Sequence, residues 1–255
     1  MLGGSHAYGL NTPQSDLDYR GVYSSNGINT ILGLCQQDFA THTEISTDDN
    51  IYYELRKYLS MLRKTNSVAI ELLYNEDWLH ITPLFQLIQA KRELLIDSHC
   101  FYKSLKGYML GELKLATGER TGKLGGKRKE SIDELGFSPK NFVQLLRLAT
   151  CGAEFFKTGN FPLRVESFSK EFRDMLLEIK LEPKKHWTKE SLCRVVGAAE
   201  LCLDLAYQQT KISYHFDDKV ANNILMLAYN GALEHHKVES SLYQRLASDL
   251  ASLGS

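Results

Sequence analysis

The sequence predicts an α+β protein, in which a small mixed β-sheet core is followed by a largely α-helical C-terminal part. Residues 1–50 are rich in Gly, Asn, Thr, Ser and Asp, with short apolar or β-branched runs between them. From Ile51 onward, the apolar residues recur at helical spacing. The stretch 117–130 is rich in glycine and basic residues, which favours an exposed loop. We therefore expect a core over residues 1–80 and a helical domain over residues 81–255.

The first part contains three candidate strands. In "SDLDYRGVYS", apolar Leu17 and Tyr19 alternate with Asp16, Asp18 and Arg20, as they would on a strand with two different faces. The runs "INTILGL" and "FATHTEIS" are rich in β-branched residues and are candidates for further short strands.

The helices are predicted from apolar stripes and from residues that start and stop helices. The stretch "IYYELRKYLSMLRK" from Ile51 places its apolar residues on one helical face, and "NSVAIELLY" follows Asn66 as a capping residue. The clearest helix begins with Ser138 as a cap and Pro139 in the first turn, and Gly159 ends it. Further helices are expected near 98–117, 169–181, 217–234 and 239–252, and from Thr188 onward.

Composition excludes several classes of protein. The chain has 255 residues and a formal net charge of −1, whereas a protein that coats nucleic acid without specificity is more basic. No apolar run approaches the roughly 18 residues of a membrane span, and we find no signal peptide. The five cysteines are scattered without metal or redox spacing, and four lie in apolar runs. They are expected to be small buried side chains in a reducing compartment, which favours the cytoplasm.

Two aspartates one residue apart are the first candidates for chemistry. On a strand, Asp16 and Asp18 would project from the same face, a few ångströms apart. Two carboxylates held so close repel each other unless a cation lies between them. Mg²⁺ takes oxygen ligands and usually shares them with the phosphates of a substrate. An Asp-x-Asp strand can therefore form half of a two-metal site, although the same pattern also occurs in solvent-exposed turns.

A small-residue turn precedes these aspartates by about ten residues. Gly3 and Gly4 allow the backbone to approach a ligand closely, and Ser5 adds a hydroxyl group. Successive backbone N–H groups in such a turn bind anions, especially where the turn opens a helix. The sequence thus predicts a phosphate-binding turn beside a metal-binding pair.

This combination resembles the signature of the polymerase-β superfamily of nucleotidyltransferases. The opening "GSHAYGLNTPQSDLDYRGVY" is similar to a subfamily of predicted nucleotidyltransferases linked to RNA repair. That resemblance extends to "DNIYYELRKYL" from Asp49 and to "NSVAIELLY", where Ser67 replaces the usual proline. It also includes "GFSPKNFVQLLRLATCGAEFFKTGNFPL", with Ser138 and Gln144 in place of aspartate and histidine. The similarity covers roughly residues 2–160. Only Met1 and Leu2 stand where the family has its first strand, so either that strand is minimal here or the chain starts later than its relatives do.

The resemblance implies a two-metal site and its residues. Gly4 and Ser5 would hold the triphosphate of an NTP, and Asp16 and Asp18 would bind two Mg²⁺ ions, or Mn²⁺ in their place. A third carboxylate completes the family's site. Asp49 matches the motif best, with Glu44 as runner-up and Asp48 behind it.

Basic residues supply the expected phosphate contacts. Lys140 and Arg147 match basic positions of the family and, seven residues apart, share a helical face. They are expected to bind the triphosphate or a nucleic-acid backbone, the alternative being that they are ordinary surface cations. A basic cluster in the predicted loop is a second candidate for binding the RNA backbone, although most runs of basic residues are solvated loops. Its members are Arg120, Lys123, Lys127, Arg128 and Lys129.

The predicted activity is transfer of a nucleoside monophosphate from an NTP to a hydroxyl acceptor. The resemblance favours an RNA end as the acceptor, with tRNA as a candidate. Two alternatives remain open from the sequence: transfer of AMP to a protein hydroxyl, as antitoxin-like members of the superfamily do, and a non-catalytic nucleotide-binding or RNA-binding module. No membrane partner is expected.

Overall fold

The computed structural model of the protein describes residues 1–24, 50–119 and 126–235, and for 126–128 and 230–235 it describes the backbone alone. It confirms the α+β class, since a small sheet near the N-terminus is followed by helices. The candidate strands "INTILGL" and "FATHTEIS" and the helix expected near 239–252 lie outside the described residues.

The sheet consists of two parallel strands, β1 (Tyr19–Tyr23) and β2 (Asn50–Glu54). Tyr19 pairs with Asn50 at one end of the register, and Tyr23 pairs with Glu54 at the other. Leu2 adds an antiparallel bridge to Tyr19, so the pairing is mixed, as predicted.

The helix expected from Ile51 begins later than predicted. Residues 50–54 form β2, and helix α2 starts at Leu55, after the short helix α1 (Gly4–Ala7) of the N-terminal segment. The buried Glu54 side chain accepts hydrogen bonds from the backbone N–H groups of Arg56 and Lys57 at 2.8 and 3.4 Å. Glu54 therefore caps α2, while the backbone before it is held extended by pairing with β1.

The remaining helices include those expected within the described residues, together with helices over 83–90, 126–135 and 183–186 that the sequence did not predict. They are α2 (Leu55–Arg63), α3 (Ser67–Tyr74), α4 (Pro83–Ala90), α5 (Ser98–Ala116), α6 (Gly126–Leu135), α7 (Pro139–Thr158), α8 (Lys170–Leu181), α9 (Pro183–His186), α10 (Lys189–Gln209) and α11 (Asp218–His235). Helix α6 corrects the predicted loop over 117–130, because 126–130 are helical. Its Lys129 and Glu130 are exposed, so a solvated helix accommodates the charges that suggested a loop.

Helix α7 is the centre of the core and packs against α5 and α10. Its aromatic residues Phe155 and Phe156 are completely buried and meet Phe101 of α5. The Phe101 and Phe155 rings pack edge to face with their centroids 5.0 Å apart. This aromatic contact fixes α5 against α7.

The signals at the ends of α7 are confirmed in position. Pro139 occupies the first turn, and Gly159 adopts the left-handed conformation that ends the helix, with φ of 78°. Ser138 lies at the cap, but its side chain does not bond the helix backbone. Its hydroxyl instead lies 2.6 Å from Oδ1 of Asn141, to which it donates. The start of the helix is therefore stabilised by a side-chain pair.

The prediction that cysteines in apolar runs are buried is only partly correct. Cys151 in α7 is completely buried, whereas Cys100 and Cys202 are exposed on the outer faces of their helices. An apolar run in a helix covers more than the face that meets the core, which explains the difference. Within the described ranges, no helix is both long and apolar enough to cross a membrane.

Gly159→Ala is expected to lower the free energy of unfolding by about 1–2 kcal/mol. An alanine at φ of 78° is strained, and its Cβ would lie 2.3 Å from the Tyr214 hydroxyl. The control is Gly197→Ala in α10, where the added methyl meets nothing within 4 Å. That change is expected to stabilise the protein by about 0.5–1 kcal/mol. Urea denaturation measures both, and equal effects would contradict the prediction.

Candidate functional site

The predicted phosphate-binding turn opens helix α1. Gly3 has extended backbone before the helix, and Gly4 has φ of +54°, a conformation that favours glycine. The backbone N–H of Leu10 donates to the carbonyl of Ser5 at 2.9 Å, which folds the following segment back onto α1. The sequence "GGS" thus forms a helix-opening turn, as predicted.

Asp18 lies directly against this turn. The backbone N–H of Gly3 donates to the Asp18 carbonyl at 2.7 Å. A Cβ added to Gly4 would lie only 2.1 Å from Oδ2 of Asp18, so the carboxylate occupies the space that any larger residue would need. Only glycine permits this approach, which brings a carboxylate and the predicted phosphate-binding turn into one place.

Asp16 and Asp18 both precede strand β1, so the prediction that they lie on a strand is wrong. A turn in which Ser15 N–H donates to the Thr12 carbonyl at 2.9 Å ends immediately before Asp16. Pairing with β2 begins only at Tyr19. Asp16 is exposed, whereas Asp18 is half-buried beside Gly4. The carboxylates therefore lie in the connection that enters the strand, where pairing with β2 does not fix their relative direction.

The third carboxylate cannot be placed, because Asp49, Asp48 and Glu44 all lie outside the described residues. The next residue, Asn50, pairs with Tyr19, the residue that follows Asp18. Its side-chain oxygen also accepts a hydrogen bond from the Tyr19 backbone N–H at 3.2 Å. The start of β2 is therefore adjacent to the Asp18 end of β1. Among the described residues, no three His, Cys, Asp or Glu side chains cluster as metal ligands would.

Lys140 and Arg147 lie on the same helix but differ in their exposure to solvent. Lys140 is exposed at the start of α7. Burial is the larger of two causes that lower the pKa of Lys180, and the positive charge of Lys140 is the smaller one. Lys180 itself donates to the Leu10 carbonyl at 2.7 Å, in the segment that follows α1. Arg147 is instead completely buried.

Arg147 is held by residues to which the sequence interpretation gave no role. Its Nη2 donates to Oε1 of Glu71 at 2.5 Å, and its guanidinium lies 3.6 Å from the centroid of the Tyr8 ring. The Tyr8 hydroxyl donates to the other Glu71 oxygen at 2.8 Å. The signal was present in the sequence, since a glutamate in apolar "SVAIELLY" and an arginine in an apolar stripe both require partners.

A second basic residue beside the turn also went unrecognised. The Arg20 side chain covers Gly3, and a Cβ on Gly3 would lie 2.9 Å from Nε of Arg20. Arg20 has the same parity as Asp16 and Asp18 in the alternating pattern that predicted the strand. The site therefore combines a helix-opening turn, a carboxylate and a guanidinium, which suits a ligand that carries both phosphate and metal.

Residues 1–108 match the model of RlaP, the RNA repair pathway DNA polymerase beta family. This match confirms the resemblance to polymerase-β-like nucleotidyltransferases, and it contains the turn, both aspartates and Glu71. Comparisons with curated proteins and with solved structures find no match. The similarity noted around α7 lies beyond the matched residues, and the division at residue 80 stays a prediction.

Proposed function

We propose that the protein transfers a nucleoside monophosphate from an NTP to a hydroxyl acceptor. The observation that supports this most directly is the contact between the Asp18 carboxylate and Gly4 of the turn. Transfer needs a cation held by carboxylates and a turn that binds phosphate in the same place. The contact between Asp18 and Gly4, both within the residues that match the family model, supports such an arrangement. In this proposal Asp16, Asp18 and Asp49 are the catalytic carboxylates.

The donor set suits Mg²⁺ better than a softer metal. Asp16 and Asp18 offer carboxylate oxygens, which Mg²⁺ and Mn²⁺ prefer, and a hard cation at this place can share ligands with substrate phosphates. When bound, two such ions would lower the pKa of the attacking hydroxyl and neutralise charge on the leaving pyrophosphate. The chain's part is to hold the Asp18 carboxylate beside the turn before the nucleotide arrives.

The triphosphate is proposed to lie on the N-terminal turn. The backbone of Gly4 and the hydroxyl of Ser5 would bind its oxygens. Arg20 beside Gly3 adds positive charge, and exposed Lys140, to which the family resemblance gives a phosphate contact, is a further candidate. Direct contact between Arg147 and the nucleotide stays a prediction from the resemblance, because its guanidinium is buried.

The proposed acceptor is an RNA end. The matched family is described as part of an RNA repair pathway, and RNA ends present the hydroxyl group that the reaction needs. The net charge of −1 favours a narrow basic groove over a broad basic surface. Exposed Lys129 of α6 belongs to the basic cluster predicted to grip the RNA backbone.

The proposal is tested by incubating the protein with each α-³²P-labelled NTP, Mg²⁺ and either total RNA or cell lysate. We expect label in RNA, and expect it to be lost when EDTA is added. Label in protein instead would support AMP transfer to a hydroxyl side chain. Nucleotide binding without transfer to either acceptor would contradict enzymatic function and favour a binding module. The matched inactive control is Asp18→Asn, which preserves the shape of the side chain.

A further inference from the structure

The side chains of Tyr8, Glu71 and Arg147 form a largely buried cluster next to the segment that follows α1. We propose that this Tyr8–Glu71–Arg147 cluster is a positioning device, which holds the turn in its binding conformation from the helical part of the chain. The inference rests on the proposed function, because it assigns a task to residues near the same site. It also changes the expected role of Arg147 from contacting the nucleotide to holding Tyr8.

The cluster is closed, since each member contacts the other two. Glu71 uses one carboxylate oxygen for Arg147 at 2.5 Å and the other for the Tyr8 hydroxyl at 2.8 Å. The Arg147 guanidinium lies 3.6 Å from the centre of the Tyr8 ring. Glu71 is only 6% exposed and Arg147 is 0% exposed. In such a dry environment these polar contacts are strong and leave little freedom to the tyrosine.

Tyr8 connects this cluster to the turn. It follows α1 directly and is four residues from Gly4, and the Leu10 N–H to Ser5 carbonyl bond closes the segment on itself. A displacement of Tyr8 would therefore move α1, and with it the Gly4 backbone that touches Asp18. Because glycine leaves the turn intrinsically mobile, its conformation has to be fixed from outside.

The same segment is held by backbone contacts with the second half of the chain. The Val165 N–H donates to the Tyr8 carbonyl at 3.1 Å. Arg173 donates to the Gly9 carbonyl at 3.1 Å, and Lys180 donates to the Leu10 carbonyl. These donors, like Arg147, lie beyond the residues that match the family model. The helical part thus supplies the support for a turn that belongs to the polymerase-β-like segment.

The surroundings of Arg147 favour positioning over direct binding. Its Nε and Nη2 both lie within 3.3 Å of the side-chain oxygen of Gln144, and Nη2 also bonds Glu71. The Tyr8 ring covers one face of the guanidinium. Nη1 has no hydrogen-bond partner among the described residues, but it is shielded from solvent. A triphosphate would have to displace Tyr8 to reach this side chain.

Tyr8→Phe tests the proposal, because it removes only the hydroxyl bond to Glu71. The matched control is Tyr229→Phe, which removes a buried tyrosine hydroxyl bond to Glu54, at the end of the sheet away from Asp18. In the ligand-free protein, we expect Tyr8→Phe to speed amide hydrogen exchange of residues 3–10 about tenfold, and Tyr229→Phe to leave it unchanged. Similar exchange in both variants would overturn the proposal. This measurement does not depend on transfer activity.

The kinetic arm separates positioning from contact with the nucleotide. We expect Tyr8→Phe to raise KM for the NTP roughly tenfold and to change kcat by less than about twofold. Arg147→Lys should raise KM for the NTP by a similar factor. Combining the two changes should raise KM little further, since both act through the Tyr8–Glu71–Arg147 cluster. Effects on KM that multiply would show that Arg147 binds the nucleotide itself. If no variant or parent transfers label, the proposed function fails while the exchange result still decides the positioning role.

Discussion

Asp18→Asn is expected to lower the rate of nucleotidyl transfer about 10³-fold under saturating Mg²⁺ and NTP, with the fold intact. The amide keeps the shape of the carboxylate beside Gly4 but removes the charge that would bind a divalent cation. Loss of one electrostatic contact at the reacting phosphate typically costs a factor of about 10²–10³, and here it also removes a metal ligand. Initial rates with labelled NTP measure the effect.

Two measurements show whether this loss is specific to the site. Asp133→Asn alters an exposed aspartate of α6 and should leave the rate within about twofold of the parent. Titration with Mn²⁺, followed by electron paramagnetic resonance, should show weaker metal binding in Asp18→Asn and unchanged binding in Asp133→Asn. Full activity of Asp18→Asn would remove Asp18 from the catalytic carboxylates, and with it the main support for the proposed reaction.

The sequence predicted correctly those helix ends that are set by residues close in sequence. Pro139 and Gly159 mark the ends of α7 in sequence and in structure, because a proline in the first turn and a left-handed glycine act within one turn of the helix. The start of α2 was misplaced because β2 is extended only through pairing with β1, about 30 residues earlier in the chain. Helical periodicity cannot reveal such a distant partner.

In the candidate site, too, contacts between residues close in sequence were predicted, whereas contacts between distant residues were not. The proximity of Gly4 and Asp18 was predicted, since a spacer of this length can fold back within one short segment. The pairing of Arg147 with Glu71 joins residues 76 positions apart, and the sequence indicates only that each charge in an apolar helix needs a partner. Family resemblance marked Arg147 by position, whereas the structure identifies its neighbours.

Arg147→Met is expected to cost about 3–5 kcal/mol of the free energy of unfolding, the largest stability effect we predict. The change leaves the Glu71 carboxylate buried without its cation, and it also removes the contact with the Tyr8 ring. Methionine has a similar length and fills much of the same volume, so the loss reflects charge more than a cavity. Guanidinium chloride denaturation measures the cost, provided that the m-value matches the parent.

The double variant Arg147→Met/Glu71→Leu distinguishes an unpaired charge from lost packing. Removing both charges should recover at least half of the loss, because an apolar pair of similar volume carries no desolvation cost. The double variant should nevertheless keep a raised KM for the NTP, since Tyr8 has lost both partners. If stability is not recovered, the arginine contributes mainly by packing. If KM for the NTP returns to the parental value when the free energy of unfolding is recovered, the turn does not depend on the cluster for its conformation.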